Sequence, residues 1–254
     1  MNDLELAHAL ADAAGEAIRP YFRARFDIET KADASPVTAA DRAAEAAMRA
    51  LIEAHRPGDG VIGEEYGDDR PDAAQVWVLD PVDGTRAFIA GRPLFGTLIA
   101  LMDLGTPVLG VIDQCIARDR WVGTGEGTTL NGAPARVRSC PDMARAYLAT
   151  TSPHAFPADD FATFERLRGR ARDTLYGGDC HNYGLLASGH LDLVVEAGLK
   201  TFDWAALVPV VTGAGGRMTD WTGAPLRLGA EGRVIAAGDP ALIEPAVAAL
   251  GDRP

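Results

Sequence analysis

Trp77-Val78-Leu79-Asp80-Pro81-Val82-Asp83-Gly84-Thr85 is the stretch on which the reading of this chain turns. Val76, Trp77, Val78 and Leu79 make a short apolar run of β-branched and aromatic character, the pattern of an interior strand in a mixed sheet. Proline has no N–H to give to a ladder, so the strand is expected to end at Asp80. Gly84 lets a ligand come close to the backbone, and Thr85-Arg86-Ala87-Phe88-Ile89-Ala90 is expected to start a short helix. Free N–H groups at such a start suit an anion such as phosphate. Two carboxylates beside an anion site make electrostatic sense only with a cation between them. The stretch reads as a metal-bridged phosphate site.

Composition agrees with that reading. At 254 residues the chain can bury a large core, as one domain or two intimate halves. The 36 acidic and 24 basic residues give a formal charge of −12, which argues against nucleic acid as the main partner. An acidic protein that handles phosphate needs cations to reverse the local field. No run of about 20 apolar residues is present to span a membrane. The start, Met1-Asn2-Asp3-Leu4-Glu5, lacks the basic-then-apolar pattern of a secretory signal. Three cysteines without metal spacing point to free thiols and a cytoplasmic location.

In chain order, Ala7, Leu10, Ala14, Ala17, Ile18, Tyr21 and Phe22 draw one apolar stripe, predicting a helix over 3–26. A polar loop follows from Glu29, and Thr38 with Asp41 forms a capping box that opens a second helix reaching about His55. Val61-Ile62-Gly63-Glu64-Glu65 is a short strand ending in paired carboxylates, only one of which should face a given side. Strands over 97–102, 107–112 and 119–123 come after the central motif, with an Asn131-Gly132 turn beyond them. From about residue 141 strand and helix alternate. The Arg166–Arg172 basic run reads as a solvated face, with a contact for a second phosphate or a nucleotide as the alternative.

Asp80-Pro81-Val82-Asp83-Gly84-Thr85, with Gly63-Glu64-Glu65 upstream and Asp203 downstream, resembles the inositol monophosphatase family of magnesium-dependent phosphatases. The similarity runs from about Lys31 to the end of the chain with the motifs in the same order. A haloacid-dehalogenase-type phosphatase fits less well. Its Asp-x-Asp spacing differs from Asp80-Pro81-Val82-Asp83, and neither Gly178-Asp179 nor Gly238-Asp239 leads into its second acidic motif. A lone Asp-Gly turn or helix cap would explain Asp80, Asp83, Asp41 or Asp203 singly, but not the set.

The resemblance implies a layered αβαβα sandwich, an α/β (α+β) fold. Residues 1–140 would carry the metal motifs and residues 141–254 would close the site. It implies two or three Mg2+ ions on Glu64, Asp80, Asp83, Asp203 and the Val82 carbonyl, an all-oxygen set that suits magnesium and not zinc. It assigns Glu64, Thr85 and Asp41 to orienting and deprotonating the attacking water, and the Gly84 and Thr85 N–H groups, with Arg86, to phosphate. Asp179, in Gly177-Gly178-Asp179-Cys180-His181, and Glu196 fall where the family holds the rest of the substrate. Within the family the motifs look more like the histidinol-phosphate phosphatase branch than the inositol branch. Histidinol carries an ammonium and an imidazole for two carboxylates to pair with, whereas inositol offers neutral hydroxyls. A homodimer acting on a small phosphorylated metabolite is implied. The alternatives are inositol-1-phosphate or a broader set of sugar and nucleotide phosphates and, from another class, an inactive binding protein on the same fold.

Overall fold

A computed structural model describes residues 1–24, 29–30 and 36–251, the four residues of 29–30 and 36–37 by backbone only. Asn2 caps the first helix, α1 (Asp3–Ile18): its side chain accepts the Glu5 N–H at 2.8 Å and the Glu5 carboxylate accepts the Asn2 N–H at 2.8 Å. The helix is shorter than its apolar stripe predicts. Pro20 removes an N–H and crowds the preceding turn, so the chain tightens into a 3-10 turn over Arg19–Tyr21. Residues 25 and 26 lie outside the described residues.

Strands β1 (Glu29–Thr30) and β2 (Pro36–Val37) pair antiparallel, where a loop is expected from sequence. Helix α2 (Ala39–His55) opens with the anticipated capping box between Thr38 and Asp41. An eight-stranded sheet follows, built from β3 (Gly60–Gly63), β4 (Gly67–Asp69), β5 (Gln75–Asp83), β6 (Gly96–Asp103), β7 (Thr106–Gln114), β8 (Asp119–Thr124), β9 (Gly127–Leu130) and β10 (Ala133–Ala135), with α3 (Thr85–Ile89) between β5 and β6. Its order is β10-β9-β8-β7-β6-β5-β3-β4, and only β3 and β5 run parallel. The five-stranded sheet has the order β12-β11-β13-β15-β14. It uses β11 (Tyr147–Thr150), β12 (Asp173–Tyr176), β13 (Leu193–Glu196), β14 (Arg217–Asp220) and β15 (Val234–Ala237). Its helices are α4 (Ala158–Arg168), α5 (His181–Ala187), α6 (Thr201–Trp204), α7 (Leu207–Gly213) and α8 (Ile243–Gly251).

Period-two alternation sorts the side chains into layers. Trp77 and Leu79 of β5 pack with Ile99, Val111 and the apolar faces of α1 and α2. Val76 and Val78 point the other way, into a core shared with α5, α6, α7 and one face of the smaller sheet through Val194 and Ala236. The opposite face of that sheet, Leu193, Val195 and Ile235, packs on α4 and α8. The result is the αβαβα sandwich expected from the sequence. The Arg166–Arg172 run begins in the last turn of α4 and continues past its end: Arg168 pairs with Glu165 at 2.6 Å and the Arg172 guanidinium sits 5.4 Å from the Tyr147 ring centre.

Two glycines bring the middle layer close. A Cβ on Gly110 of β7 would overlap the Ala206 carbonyl, and one on Gly123 of β8 the Pro209 carbonyl. Neither obstacle is a flexible side-chain end. Gly110→Ala should therefore cost about 1–3 kcal/mol or more by overpacking. Thermal denaturation should show a Tm lowered by roughly 3–10 °C; an unchanged Tm would mean α7 does not rest on this strand.

Candidate active site

The loop after β5 and the turn after β3 meet because these two strands are parallel, with Gly63 opposite Leu79. Both chains therefore leave the sheet at the same end, Glu64 beside Asp80. The β5 strand does not stop at Asp80, as its proline predicts. It continues to Asp83 through a register shift against β6 between Asp80 and Asp83. The bulge takes Pro81 out of the ladder, so its missing N–H leaves no gap, and the Pro81 carbonyl accepts the Thr97 hydroxyl at 2.8 Å. The same bulge turns Asp80 back on the chain, where its Oδ1 accepts the Val82 N–H at 3.0 Å.

Gly84 has φ 86°, a left-handed conformation that starts α3. A Cβ there would also come within 2.9 Å of the Asp179 side chain, so glycine permits both the turn and the close approach of Asp179. Thr85 donates its hydroxyl to the Val82 carbonyl at 3.1 Å. Asp203 is not the cap of its helix, as a lone Asp before an apolar helix suggests. It is the third residue of the short α6, and its carboxylate accepts the Lys200 N–H at 2.6 Å. One carboxylate oxygen from each of Asp80, Asp83 and Asp203 lies within 4.8 Å of the others. Asp83 also accepts the Cys180 N–H at 2.6 Å, which ties the loop before α5 to the acidic cluster.

The electrostatics of this cluster are unfavourable by themselves. Burial, then the charges of Glu64, Asp83 and Asp203, hold the Asp80 carboxyl well above the usual range. Asp83 is raised likewise by burial and by Asp179 and Asp203. Asp203 is pushed up to about 7, chiefly by burial. Carboxylates forced together in a low-dielectric pocket, with oxygen as their only donor atom, fit a hard divalent cation: it removes the repulsion without needing nitrogen or sulfur. Glu64, Asp80, Asp83 and Asp203, with Arg86 at the rim, line a basin of about 530 Å3.

Asp41 is fully buried at the start of α2, with one oxygen on the Thr38 backbone N–H at 2.9 Å and on the Thr38 hydroxyl. Its other oxygen has no hydrogen-bond partner among the described residues, and burial raises its carboxyl. Asp179 is pushed up to about 7 by burial and the Glu196 charge, opposed by Arg86. Glu196 is buried and raised by that burial. Its carboxylate accepts the Thr151 N–H at 2.9 Å, the Thr151 hydroxyl at 2.5 Å and the Tyr183 hydroxyl at 3.2 Å.

Sequence reasoning passes over Glu45. This buried carboxylate accepts the Glu65 N–H at 2.7 Å and the Tyr66 N–H at 3.1 Å, and so holds the turn that carries Glu64. The available signal is a second acid one turn after Asp41, on a helix face otherwise made of Ala44, Met48 and Ile52. Thr151 and Tyr183, which hold Glu196, carry no comparable signal.

A model of the inositol monophosphatase family matches residues 2–252. The bifunctional phosphatase IMPL2, chloroplastic, of Arabidopsis thaliana is 52% identical over 88% of this chain and 67% of its own. A histidinol-phosphatase of Mycobacterium tuberculosis is 37% identical over 87% of this chain and 88% of its own. Among solved structures, an inositol monophosphatase from Zymomonas mobilis superposes with a TM-score of 0.91 at 57% identity, covering 98% of this chain and 97% of that one. With its motifs in order along the whole sandwich and its acids gathered in one basin, the chain belongs to the inositol monophosphatase family of phosphatases.

Proposed function

We propose that this phosphatase hydrolyses L-histidinol phosphate with Mg2+ as its cofactor. Held by Glu64, Asp80, Asp83, Asp203 and the Val82 carbonyl, Mg2+ would polarise the phosphoryl oxygens and lower the pKa of a water molecule. The Gly84 and Thr85 N–H groups, at the start of α3, bind the phosphate, and Arg86 adds a positive charge at the rim. Glu64 and Thr85 orient the attacking water, and its proton passes, directly or through the Thr85 hydroxyl, to Asp41, whose second oxygen has no hydrogen-bond partner among the described residues.

The observation that carries the choice of substrate is the carboxylate pair on the leaving-group side. Asp179 lies against Gly84 and feels the charge of Glu196, an arrangement that a cationic substrate would relieve. Histidinol supplies an ammonium and an imidazole. The histidinol-phosphatase relative supports the same reading. Inositol-1-phosphate is the second reading, favoured by the 57% identity to the Zymomonas inositol monophosphatase.

Phosphate release from the two esters, measured side by side with and without Mg2+, separates them. For Asp179→Asn, kcat/KM on L-histidinol phosphate should fall about 10- to 150-fold, the loss of one charge-assisted bond of about 1.5–3 kcal/mol. On inositol-1-phosphate it should change little. An unchanged preference in the variant would sink the pairing of Asp179 with a cation.

A further inference from the structure

Away from the acidic basin, a second concavity of about 340 Å3 opens between α1 and the ends of β7, β8 and β9, and it shares no lining residue with the basin. Three guanidiniums, those of Arg19, Arg118 and Arg120, line it against one carboxylate, that of the buried Asp113. Arg120 is already taken. Asp113 accepts its Nε–H at 2.6 Å, and Asp12 of α1 accepts its Nη2–H at 2.8 Å. The Arg19 and Arg118 guanidiniums have neither a hydrogen bond nor an ion pair among the described residues. Two unpaired cations sharing one pocket repel each other, and an anion between them would reverse that.

Both cations are held in place by their surroundings. A Cβ on Gly15 would come within 2.9 Å of Arg19 Nη1 and 3.1 Å of Cys115 Cβ. Glycine is disfavoured inside a helix, and here it gives the Arg19 guanidinium room to fold back one turn against β7. Arg118 ends a turn that the buried Gln114 locks: the Gln114 side chain accepts the Ile116 and Ala117 N–H groups, both at 2.7 Å, and donates to the Phe95 carbonyl at 3.0 Å. The turn leaves Arg118 at φ 64°, a left-handed conformation uncommon for a residue with a side chain. Two neutral donors line the same space. Arg120 can only donate, so the His8 Nδ1 at 3.3 Å accepts and the ring proton sits on Nε2. Asn131 gives its oxygen to the Arg120 backbone N–H at 2.9 Å, which leaves its NH2 group to donate.

We propose that this pocket binds a tetrahedral oxyanion, inorganic phosphate or the phosphate of a monoester, outside the catalytic basin. A single guanidinium fork already satisfies both oxygens of a carboxylate. Two forks with the His8 and Asn131 N–H groups call for more acceptor oxygens and more charge than a carboxylate has, and a phosphate supplies both. The site stands on these residues alone and is independent of the substrate reading above.

Proton–nitrogen NMR of the Mg2+-loaded enzyme, titrated at constant ionic strength with inorganic phosphate and separately with methylphosphonate, tests the site. The Nε–H signals of Arg19 and Arg118 and the His8 ring report this pocket, whereas phosphate held in the basin acts on Arg86. The pocket signals should shift to saturation. In Arg118→Gln the midpoint read at Arg19 should rise by about tenfold or more, the loss of one charge-assisted contact. Arg145→Gln removes the same charge from an exposed site that does not line the pocket and should leave that midpoint unchanged. Saturation by both anions upholds the site and assigns it to a phosphate monoester; saturation by phosphate alone upholds it for the free ion. Signals that drift without saturating overturn the proposal. So does a midpoint that Arg118→Gln leaves unchanged, or that Arg145→Gln raises equally, because the protein's basic residues would then attract anions without a built pocket.

Discussion

Asp80→Asn is expected to lower Mg2+-dependent phosphate release by at least about 10³-fold while making the metal-free protein more stable. The first effect follows from removing a carboxylate at the centre of the cluster: several kcal/mol of charge stabilisation depend on the cation, and each 1.36 kcal/mol is a factor of ten in rate. The second follows from the repulsion already described. Asparagine keeps an oxygen for the Val82 N–H and removes a buried charge that faces Glu64, Asp83 and Asp203. Its sign with pH is fixed. A carboxyl raised in the folded state binds its proton more tightly there than in the unfolded chain, so ionising it costs stability as pH rises above the ordinary value of 3.8. The gain from Asp80→Asn should be absent below about pH 4 and largest at neutral pH and above, at about 2–4 °C of Tm per kcal/mol relieved. Thermal denaturation in a chelator at pH 4 and pH 8, beside phosphate release with Mg2+, checks both effects. A variant that kept its activity would show that the metal is held elsewhere. A wild type with no Mg2+-dependent phosphatase activity would point to the inactive binding protein.

Why the cluster can be read from sequence and its surroundings cannot is a matter of chain distance. Asp80, Asp83, Gly84 and Thr85 sit in one turn, where spacing alone constrains geometry, and the layer order follows from alternating apolar residues such as Val76, Trp77, Val78 and Leu79. Pro81 misleads because its effect is decided by a neighbour. Only the pairing with β6, and the Thr97 hydroxyl that takes up the Pro81 carbonyl, turn a strand end into a bulge. Pro20 acts locally, and its shortening of α1 is legible once the apolar stripe is not allowed to override it. The apolar part of the cleft is less legible still: Phe156, Tyr183 and Leu207 line it from three separate elements or loops, and each reads in sequence as an ordinary core position, whereas Glu196 is picked out only by the family resemblance.

Glu45 is the other long-range feature, and its substitution is expected to weaken metal binding through a residue well removed along the chain from every motif acid except Asp41. Its carboxylate is wholly buried and joins three donors: the Glu65 and Tyr66 N–H groups and the Arg49 guanidinium at 2.8 Å. Arg49 in turn donates to the Gly67 carbonyl, so the turn after β3 is gripped from both sides. A Cβ on Gly63 would overlap the Glu45 carboxylate, which explains why the residue before Glu64 has no side chain. Glu45→Ala takes the acceptor from two part-buried N–H groups and the counter-charge from a partly buried guanidinium, a loss of about 1–3 kcal/mol that should lower Tm by roughly 2–12 °C. Glu45→Gln keeps the volume and one acceptor, and should lose much less stability. Residues that orient a metal ligand typically alter metal affinity about 10- to 100-fold. The Mg2+ concentration for half-maximal phosphate release should therefore rise by about that factor in Glu45→Gln, with direct Mn2+ titration by paramagnetic resonance shifting in parallel. Those two readouts separate alignment of Glu64 from simple support of the fold. If Tm falls while both metal affinities stay at the wild-type value, Glu45 braces the turn without setting the ligand, and metal binding depends on the carboxylates of the basin alone.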